Sequence, residues 1–204
     1  MSFAIKVTDL NMAYADGIEV FRGFTHSFDA GSFTAIVGPS GCGKSSLLRI
    51  LAGLQSPSSG KIEIKPDTSI GYVFQEPTLL AWQTVYENVA LPLKIKGLNK
   101  KLIDTRVTDA LALVGLAGRQ YALSRELSGG MKMRVSLARA LAQNPDVLFM
   151  DEPFGALDEL TRLKLDDELL DIWRRQKCTI LFVTHTVSEA TYLAERVLVM
   201  SSDG

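Results

Sequence analysis

The sequence has little cysteine and no excess of charge of either sign. Its two cysteines, Cys42 and Cys178, have no paired spacing. Such usage excludes a disulfide scaffold and a cysteine-based zinc site, and it fits a reducing compartment such as the cytosol. The 22 basic and 23 acidic residues give a formal net charge of −1. This balance offers no support for nucleic acid as a partner, which usually requires a basic face.

Long hydrophobic runs are also missing. The longest unbroken apolar run covers 110–114, whereas a membrane-spanning helix needs roughly 20 apolar residues. The opening stretch MSFAIKVTDL alternates apolar and polar residues, so it lacks the charged-then-apolar order of a secretion signal. The sequence therefore predicts a soluble chain of 204 residues with one good core, and it leaves a membrane partner open.

Two kinds of strand pattern indicate an α/β fold. Alternating segments at 3–8, 19–28 and 61–64 predict an antiparallel N-terminal sheet. Short, continuously apolar segments predict strands buried on both faces, as in a parallel sheet. These segments lie at 33–37, 70–74, 147–150, 179–183 and 196–200, and helices are predicted between them at 44–54 and 160–176.

A long segment at 76–145 separates two of the predicted parallel strands, although one crossover helix needs only about a dozen residues. Within it, Val107, Ala110, Leu111 and Val114 form a helical stripe that Gly115 closes. We therefore expect a helical subdomain at 76–145 inserted into a core formed by 1–75 and 146–204. The chain ends in VLVMSSDG, a strand followed by a hairpin turn signal, which predicts that a longer protein has been cut there.

The stretch GPSGCGKS matches the phosphate-binding pattern G-x-x-x-x-G-K-[ST] at Gly38, Gly43, Lys44 and Ser45. With average residue usage, a chance match has a probability of roughly 1%. A buried strand before it and an apolar helix after it are the context that the pattern requires. Backbone N–H groups would surround phosphate oxygens, Lys44 would reach the β- and γ-phosphates, and Ser45 would ligate Mg²⁺. The alternative is a glycine-rich turn without a ligand.

Polar side chains follow three other predicted strands, where ligands bind in open α/β sheets. Asp151 can hold Mg²⁺, and Glu152 can act as a general base toward an attacking water. Gln75 can ligate Mg²⁺ and orient water through its amide, and His185 lies at a further strand end. Each residue alone is compatible with a solvated turn or a polar strand cap, but together with a phosphate loop they predict a catalytic centre.

A second glycine motif precedes a predicted helix, because ELSGGMKMRVSLARAL places Ser128, Gly129 and Gly130 before its apolar face. Helix starts of this kind bind anions, although Ser128 can also serve as an ordinary N-cap. The set at 38–46, Gln75, LSGGM at 127–131, VLFMDEP at 147–153, GALD at 155–158 and His185 resembles the ATP-binding subunit of ABC transporters. This resemblance covers nearly the whole chain, with Met131 standing where the family usually has glutamine.

The resemblance implies ATP hydrolysis with Mg²⁺ in a homodimer, where one chain's phosphate loop and the other's signature loop enclose each ATP. The implied nucleotide contacts are Tyr14, Gly38, Pro39, Ser40, Gly41, Cys42, Gly43, Lys44, Ser45, Ser46, Ser128, Gly129, Gly130 and Asp158. The implied catalytic residues are Lys44, Gln75, Glu152 and His185, and the metal ligands are Ser45, Gln75 and Asp151. Tyr14 would stack on adenine, or else be a residue of the N-terminal sheet. Asp158 would lie at the dimer interface.

Partners also follow from the resemblance. Permease subunits would contact 76–95, a substrate-binding protein would act indirectly, and the chain would lie peripherally on the cytoplasmic side of the membrane. In this region Trp82 would be either an interface residue or a buried core aromatic. GPSGCGKSSLLRILAGL and VFQEPTLLAW are similar to importers of nitrate, sulfonates, taurine and pyrimidine precursors. The alternatives are an ABC-type ATPase without a permease, as in translation or DNA repair, and a small-molecule P-loop kinase.

Overall fold

A computed structural model describes residues 3–14 and 19–201 of the chain. Two compact units divide the chain: the first comprises 1–68, 146–152 and 177–204, and the second comprises 69–145 and 153–176. The hairpin turn predicted at Asp203 and Gly204 lies outside the described residues. The subdomain limits inferred from the sequence stay a prediction.

The first unit contains the predicted antiparallel sheet, whose strands are β1 (Phe3–Ala13), β2 (Glu19–Asp29) and β4 (Ser59–Ile64). Their order is β2-β1-β4. In this register Ile5 lies opposite Phe28 on one side and opposite Ile64 on the other. Ile5 and Val7 are fully buried, so the alternation at 3–8 places their face of β1 in the core. Leu10 is also fully buried, and it follows a register shift after Val7.

The first unit also contains parallel strands in the order β6-β7-β3-β8. They are β3 (Phe33–Val37), β6 (Val147–Asp151), β7 (Thr179–Val183) and β8 (Arg196–Val199). Every residue of β3, β6 and β7 is buried, as continuously apolar strands require. Helix α1 (Lys44–Leu51) packs on β6 and β7, and helix α6 (Val187–Leu193) packs on β3. Because the strands are parallel, the carboxyl ends of β3, β6 and β7 meet at one edge.

Two sequence expectations in this unit are wrong. The apolar run at 196–200 predicts a strand buried on both faces, but Val197 and Val199 of β8 are 40% and 73% exposed. Among the described residues, β8 pairs only with β3 and lies at the edge of the sheet. Its apolar side chains are therefore not buried on both faces, although the sequence pattern predicts it. The sequence also predicts a helix over 44–54, but α1 ends at Leu51. Gly53 turns the chain at φ 73°, and Leu54 is 56% exposed.

The second unit is mainly helical. Its elements are β5 (Ile70–Val73), α2 (Val85–Ile95), α3 (Lys100–Leu113), a 3-10 helix at Ser124–Glu126, α4 (Gly129–Leu141) and α5 (Glu159–Gln176). Helices α2, α3 and α4 pack against one another. The stripe of Val107, Ala110, Leu111 and Val114 is buried, and Gly115 follows at φ 68°, as the spacing predicts. Within the described ranges, the helices are too short or too polar to cross a lipid bilayer.

Polar contacts fix the segment before α2. Thr84 caps the helix by accepting a hydrogen bond from the Glu87 N–H, and the Glu87 carboxylate accepts from the Thr84 N–H in return. Asn88 is fully buried and donates to the carbonyls of Leu80 and Thr84 at 3.2 and 2.9 Å. Because a buried amide is costly to leave unpaired, these bonds hold the loop at 80–84 in one shape.

Candidate active site

The loop between β3 and α1 is shaped for a bound phosphate. A Cβ at Gly38 would lie 2.5 Å from the Met200 carbonyl and 2.8 Å from the Cys42 sulfur, so only glycine fits there. Gly41 and Gly43 have φ angles of 84° and 98°, a region that favours glycine. Helix α1 begins directly after this loop. The sequence thus folds into a loop with a helix N-terminus behind it, an arrangement that binds anions.

Lys44 places its ammonium group inside this loop. The side chain is 5% exposed, and Nζ donates to the carbonyls of Gly38 and Pro39 at 2.9 Å each. An ammonium group has three N–H donors. Within the described part of the chain two of them bond to these carbonyls, which leaves the third for a phosphate oxygen. The position therefore suits neutralisation of phosphate charge.

Ser45 and Asp151 form an oxygen-rich pair at the end of β6. The Ser45 hydroxyl donates to Asp151 Oδ1 at 2.6 Å, and Asp151 is 3% exposed. Hydroxyl and carboxylate oxygens are the donors that Mg²⁺ prefers, so the pair fits the predicted metal. Arg49 lies 3.8 Å from Asp151 Oδ2 and was missed from the sequence. Its spacing of four residues from Ser45 on α1 was a usable signal, because such residues share a helix face.

Glu152 and His185, predicted from separate strand ends, lie together. Glu152 Oε2 is 3.2 Å from His185 Nδ1. Glu152 has a φ of 43°, which is uncommon for a residue with a side chain. Its N–H donates to the Val183 carbonyl at 3.0 Å, so the strained residue is tied to the end of β7. The pair combines a carboxylate that can accept a proton with an imidazole beside it.

Tyr14 and Ser46 also meet in the first unit. The Tyr14 hydroxyl and the Ser46 hydroxyl are 2.6 Å apart, and Tyr14 is 41% exposed. Tyr14 is therefore anchored to α1 while part of its surface remains open, and adenine stacking on this ring stays a prediction. In the loop itself Cys42 is 8% exposed, whereas Pro39, Ser40 and Gly41 are exposed.

The other predicted site residues belong to the second unit. Gln75 is exposed shortly after β5. Ser128 is the N-cap of α4 and accepts a hydrogen bond from the Met131 N–H at 3.3 Å, which confirms the N-cap interpretation. Asp158 accepts from the Thr161 N–H at 3.0 Å, and hydrogen bonds from Thr161 hold the pKa of Asp158 below its usual value.

Gly129 and Gly130 form the first turn of α4. A Cβ at Gly130 would lie 2.9 Å from Thr161 Cγ2 on α5. The start of α4 therefore packs too closely on α5 for a side chain at this position. Because residues 129 and 130 are glycines, they have no side chains that would cover the backbone N–H groups at the start of α4. Ser128 and Gly129 are exposed to solvent.

The chain is similar in sequence to proteins of one known family. The ABC transporter family model matches residues 21–155. The chain is 44% identical to the nitrate import ATP-binding protein NrtD of Synechocystis, over 97% of this chain and 78% of that protein. It is 43% identical to the aliphatic sulfonates import ATP-binding protein SsuB of Bacillus cereus, over 91% of this chain and 75% of that protein.

Solved structures confirm the predicted fold class. Structural similarity to cbiO1 of Clostridium perfringens, part of the ABC transporter complex cbiONQ, has a TM-score of 0.90 at 31% identity, over 99% of this chain and 86% of that one. A dimeric structure of a bacterial ABC transporter cassette matches with a TM-score of 0.86 at 30% identity, over 97% and 94% of the two chains. These relatives are import and transporter proteins, which does not favour an ATPase that works without a permease.

Proposed function

Because this chain belongs to the ABC transporter family and is a transport-coupled ATPase subunit, we propose that it powers import of a small anionic nutrient. Nitrate and aliphatic sulfonates are the substrate classes that its relatives suggest. ATP hydrolysis is supported by three groups of residues that lie in the first unit. The phosphate loop, the Ser45–Asp151 pair and the Glu152–His185 pair all belong to that unit.

The metal in this proposal is Mg²⁺, held by Ser45 and Asp151, with Gln75 as a further predicted ligand. Bound Mg²⁺ would neutralise charge on the β- and γ-phosphate oxygens. The hydroxyl and the buried carboxylate supply the oxygen ligands, and the Arg49 guanidinium lies 3.8 Å from Asp151 Oδ2. Lys44 adds a second positive charge, inside the loop.

Hydrolysis requires a base near the terminal phosphate, and Glu152 has the suitable chemistry. Its carboxylate would take a proton from water as the water oxygen attacks the γ-phosphorus and the bond to the β-phosphate oxygen breaks. ADP and inorganic phosphate are then the products. His185, 3.2 Å from the carboxylate, would hold Glu152 in place and contact the γ-phosphate.

A second copy of the chain would complete each site. The exposed N-terminus of α4, with Ser128, Gly129 and Gly130, presents N–H groups suited to the γ-phosphate of a partner's ATP. Asp158 caps the neighbouring helix α5 through the Thr161 N–H and would lie at the same interface. The dimeric cassette structure among the similar proteins supports this arrangement.

The permease would bind a surface of the second unit. Trp82 is 76% exposed, so the alternative of a buried core aromatic is wrong. Beside α2 lies a cleft of about 570 Å³ lined by residues that include Tyr86, Lys100, Leu111 and Tyr121. The Tyr86 hydroxyl donates to Asp104, and this bond raises the pKa of Tyr86 to about 12. The lining combines aromatic and apolar side chains with the charged Lys100 and Asp104, a mixture that suits an amphipathic helix from a membrane subunit.

Uptake by cells that lack the chain tests the proposal. We expect loss of labelled nitrate or of labelled alkanesulfonate uptake, restored by the wild-type gene. Trp82→Ala should lower the restored uptake about tenfold or more, since exposed tryptophans are frequent hot spots, while the isolated subunit keeps its basal ATPase rate. Tyr192→Ala, which truncates an aromatic residue that is 55% exposed in the first unit, is the matched control.

The substrate class and the permease surface can be contradicted separately. Unchanged uptake of both anion classes in the deletion strain would exclude the substrate class. Full uptake with Trp82→Ala, at equal protein level, would exclude the permease surface that includes this residue.

A further inference from the structure

The backbone that carries His185 is a short connection between β7 and α6. It comprises Thr184, His185 and Thr186, because β7 ends at Val183 and α6 begins at Val187. The Thr184 N–H donates to the Ile36 carbonyl of β3 at 3.1 Å, which ties the start of the connection to the sheet. The position of the His185 ring beside Glu152 therefore depends on how the rest of this connection is held.

Two consecutive hydrogen bonds connect the residues on either side of His185 to Glu189. Thr184 is 2% exposed, and its side chain points into the protein although His185 next to it is exposed. The Thr186 N–H donates to Thr184 Oγ1 at 3.0 Å, and the Thr184 hydroxyl donates in turn to the Glu189 carboxylate. The residues on both sides of His185 are thus joined through one hydroxyl group.

Glu189 accepts the hydrogen bond from the Thr184 hydroxyl, and it is 8% exposed on α6. A buried carboxylate is costly unless it accepts strong hydrogen bonds, and bonds to an ionised acceptor are stronger than neutral ones. Apolar side chains pack α6 against the sheet. Ala190 is buried in a cluster with Ala35 and Val37, and Leu193 is 2% exposed. Apolar contacts can therefore hold α6 without the carboxylate of Glu189.

We propose that Glu189 is a positioning residue for ATP hydrolysis, which fixes the Thr184 hydroxyl and thereby the backbone on both sides of His185. The inference rests on the proposed function, in which His185 and Glu152 act in the reaction. A small misplacement of a reacting group costs up to about 10²-fold in rate. Loss of the Glu189 acceptor should accordingly lower kcat while the phosphate loop still binds Mg-ATP.

Two pairs of variants test the contact from both ends. Glu189→Leu and Thr184→Val keep the side-chain size and remove the bond, whereas Glu189→Gln and Thr184→Ser keep an acceptor and a hydroxyl. We expect the first pair to lower kcat about tenfold with KM within about twofold, and the second pair to retain most of kcat. Thr191→Ala is the control, since the exposed Thr191 hydroxyl bonds, within the described part of the chain, to the Val187 and Ser188 carbonyls of its own helix.

The decisive measurement repeats Glu189→Leu and Thr184→Val in a His185→Ala background. If Glu189 acts through His185, neither change lowers kcat further there, because residues of one unit have non-additive effects. An equal loss in both backgrounds, or equal losses for Glu189→Gln and Glu189→Leu, would overturn the inference alone. A normal kcat for His185→Ala would overturn the proposed role of His185 and the inference with it. Should Glu189→Leu fail to fold, Thr184→Val carries the same comparison.

Discussion

Glu152→Gln is expected to lower ATP turnover about 10²–10⁴-fold, the loss typical of a missing general base, without loss of ATP binding. The amide has the shape of the carboxylate but cannot accept the proton of the attacking water. The backbone of Glu152 is held at φ 43° by its bond to the Val183 carbonyl. The side chain of the variant should therefore remain beside His185.

Turnover and ATP affinity of Glu152→Gln should be measured on the same preparation. Glu195→Gln is the matched control, because Glu195 is exposed and its N–H bonds to the Phe33 carbonyl through the backbone. Since bound ATP persists in Glu152→Gln, we also expect sedimentation with Mg-ATP to detect a dimer. Normal hydrolysis by this variant would show that Glu152 is not the base.

Lys44→Ala is expected to lower turnover about 10²–10³-fold, the usual cost of removing one electrostatic contact to the reacting group. The ammonium group is buried in the loop, where its interactions are stronger than in water. Its removal also leaves the carbonyls of Gly38 and Pro39 without the donor that they now share. Both effects weaken the phosphate site, so ATP affinity should fall together with turnover.

Lys6→Ala provides a control, since Lys6 is an exposed residue of β1 outside the loop. Comparable circular dichroism spectra of Lys44→Ala and wild type would show that the loss concerns the site rather than folding. Turnover close to wild type in Lys44→Ala would contradict the role of the loop.

The sequence could predict most elements because their patterns are local. The runs at 33–37 and 179–183 have the bounds of β3 and β7, since continuous apolar runs require burial on both faces. The phosphate loop is equally local, because Gly38 and Lys44 are close in the chain. Strand ends at Asp151, Glu152 and His185 could be placed at one edge because parallel strands share their direction.

Contacts between distant residues could not be predicted in this way. The bond between Ser45 and Asp151 joins residues 106 positions apart, and the sequence indicates only that both lie near strand ends. The exposure of Val199 depends on what covers the faces of β8 in the fold rather than on the residues of β8 itself. The role of Thr184 as an acceptor for Thr186 and a donor to Glu189 requires the side-chain direction, which a motif does not contain.

In the proposed dimer, the two phosphate-binding loops of one chain serve different ATP molecules. Mixed dimers of Lys44→Ala and Ser128→Arg chains, purified through two different tags, test it most directly. On this account both defects fall on one composite site, and the other site combines an intact Lys44 with an intact Ser128. We predict that the mixed dimer binds ATP at one site with normal affinity and hydrolyses it well above either variant homodimer. If Ser128 serves its own chain, each site carries one defect, so mixed dimers as inactive in binding and turnover as the homodimers would contradict the account.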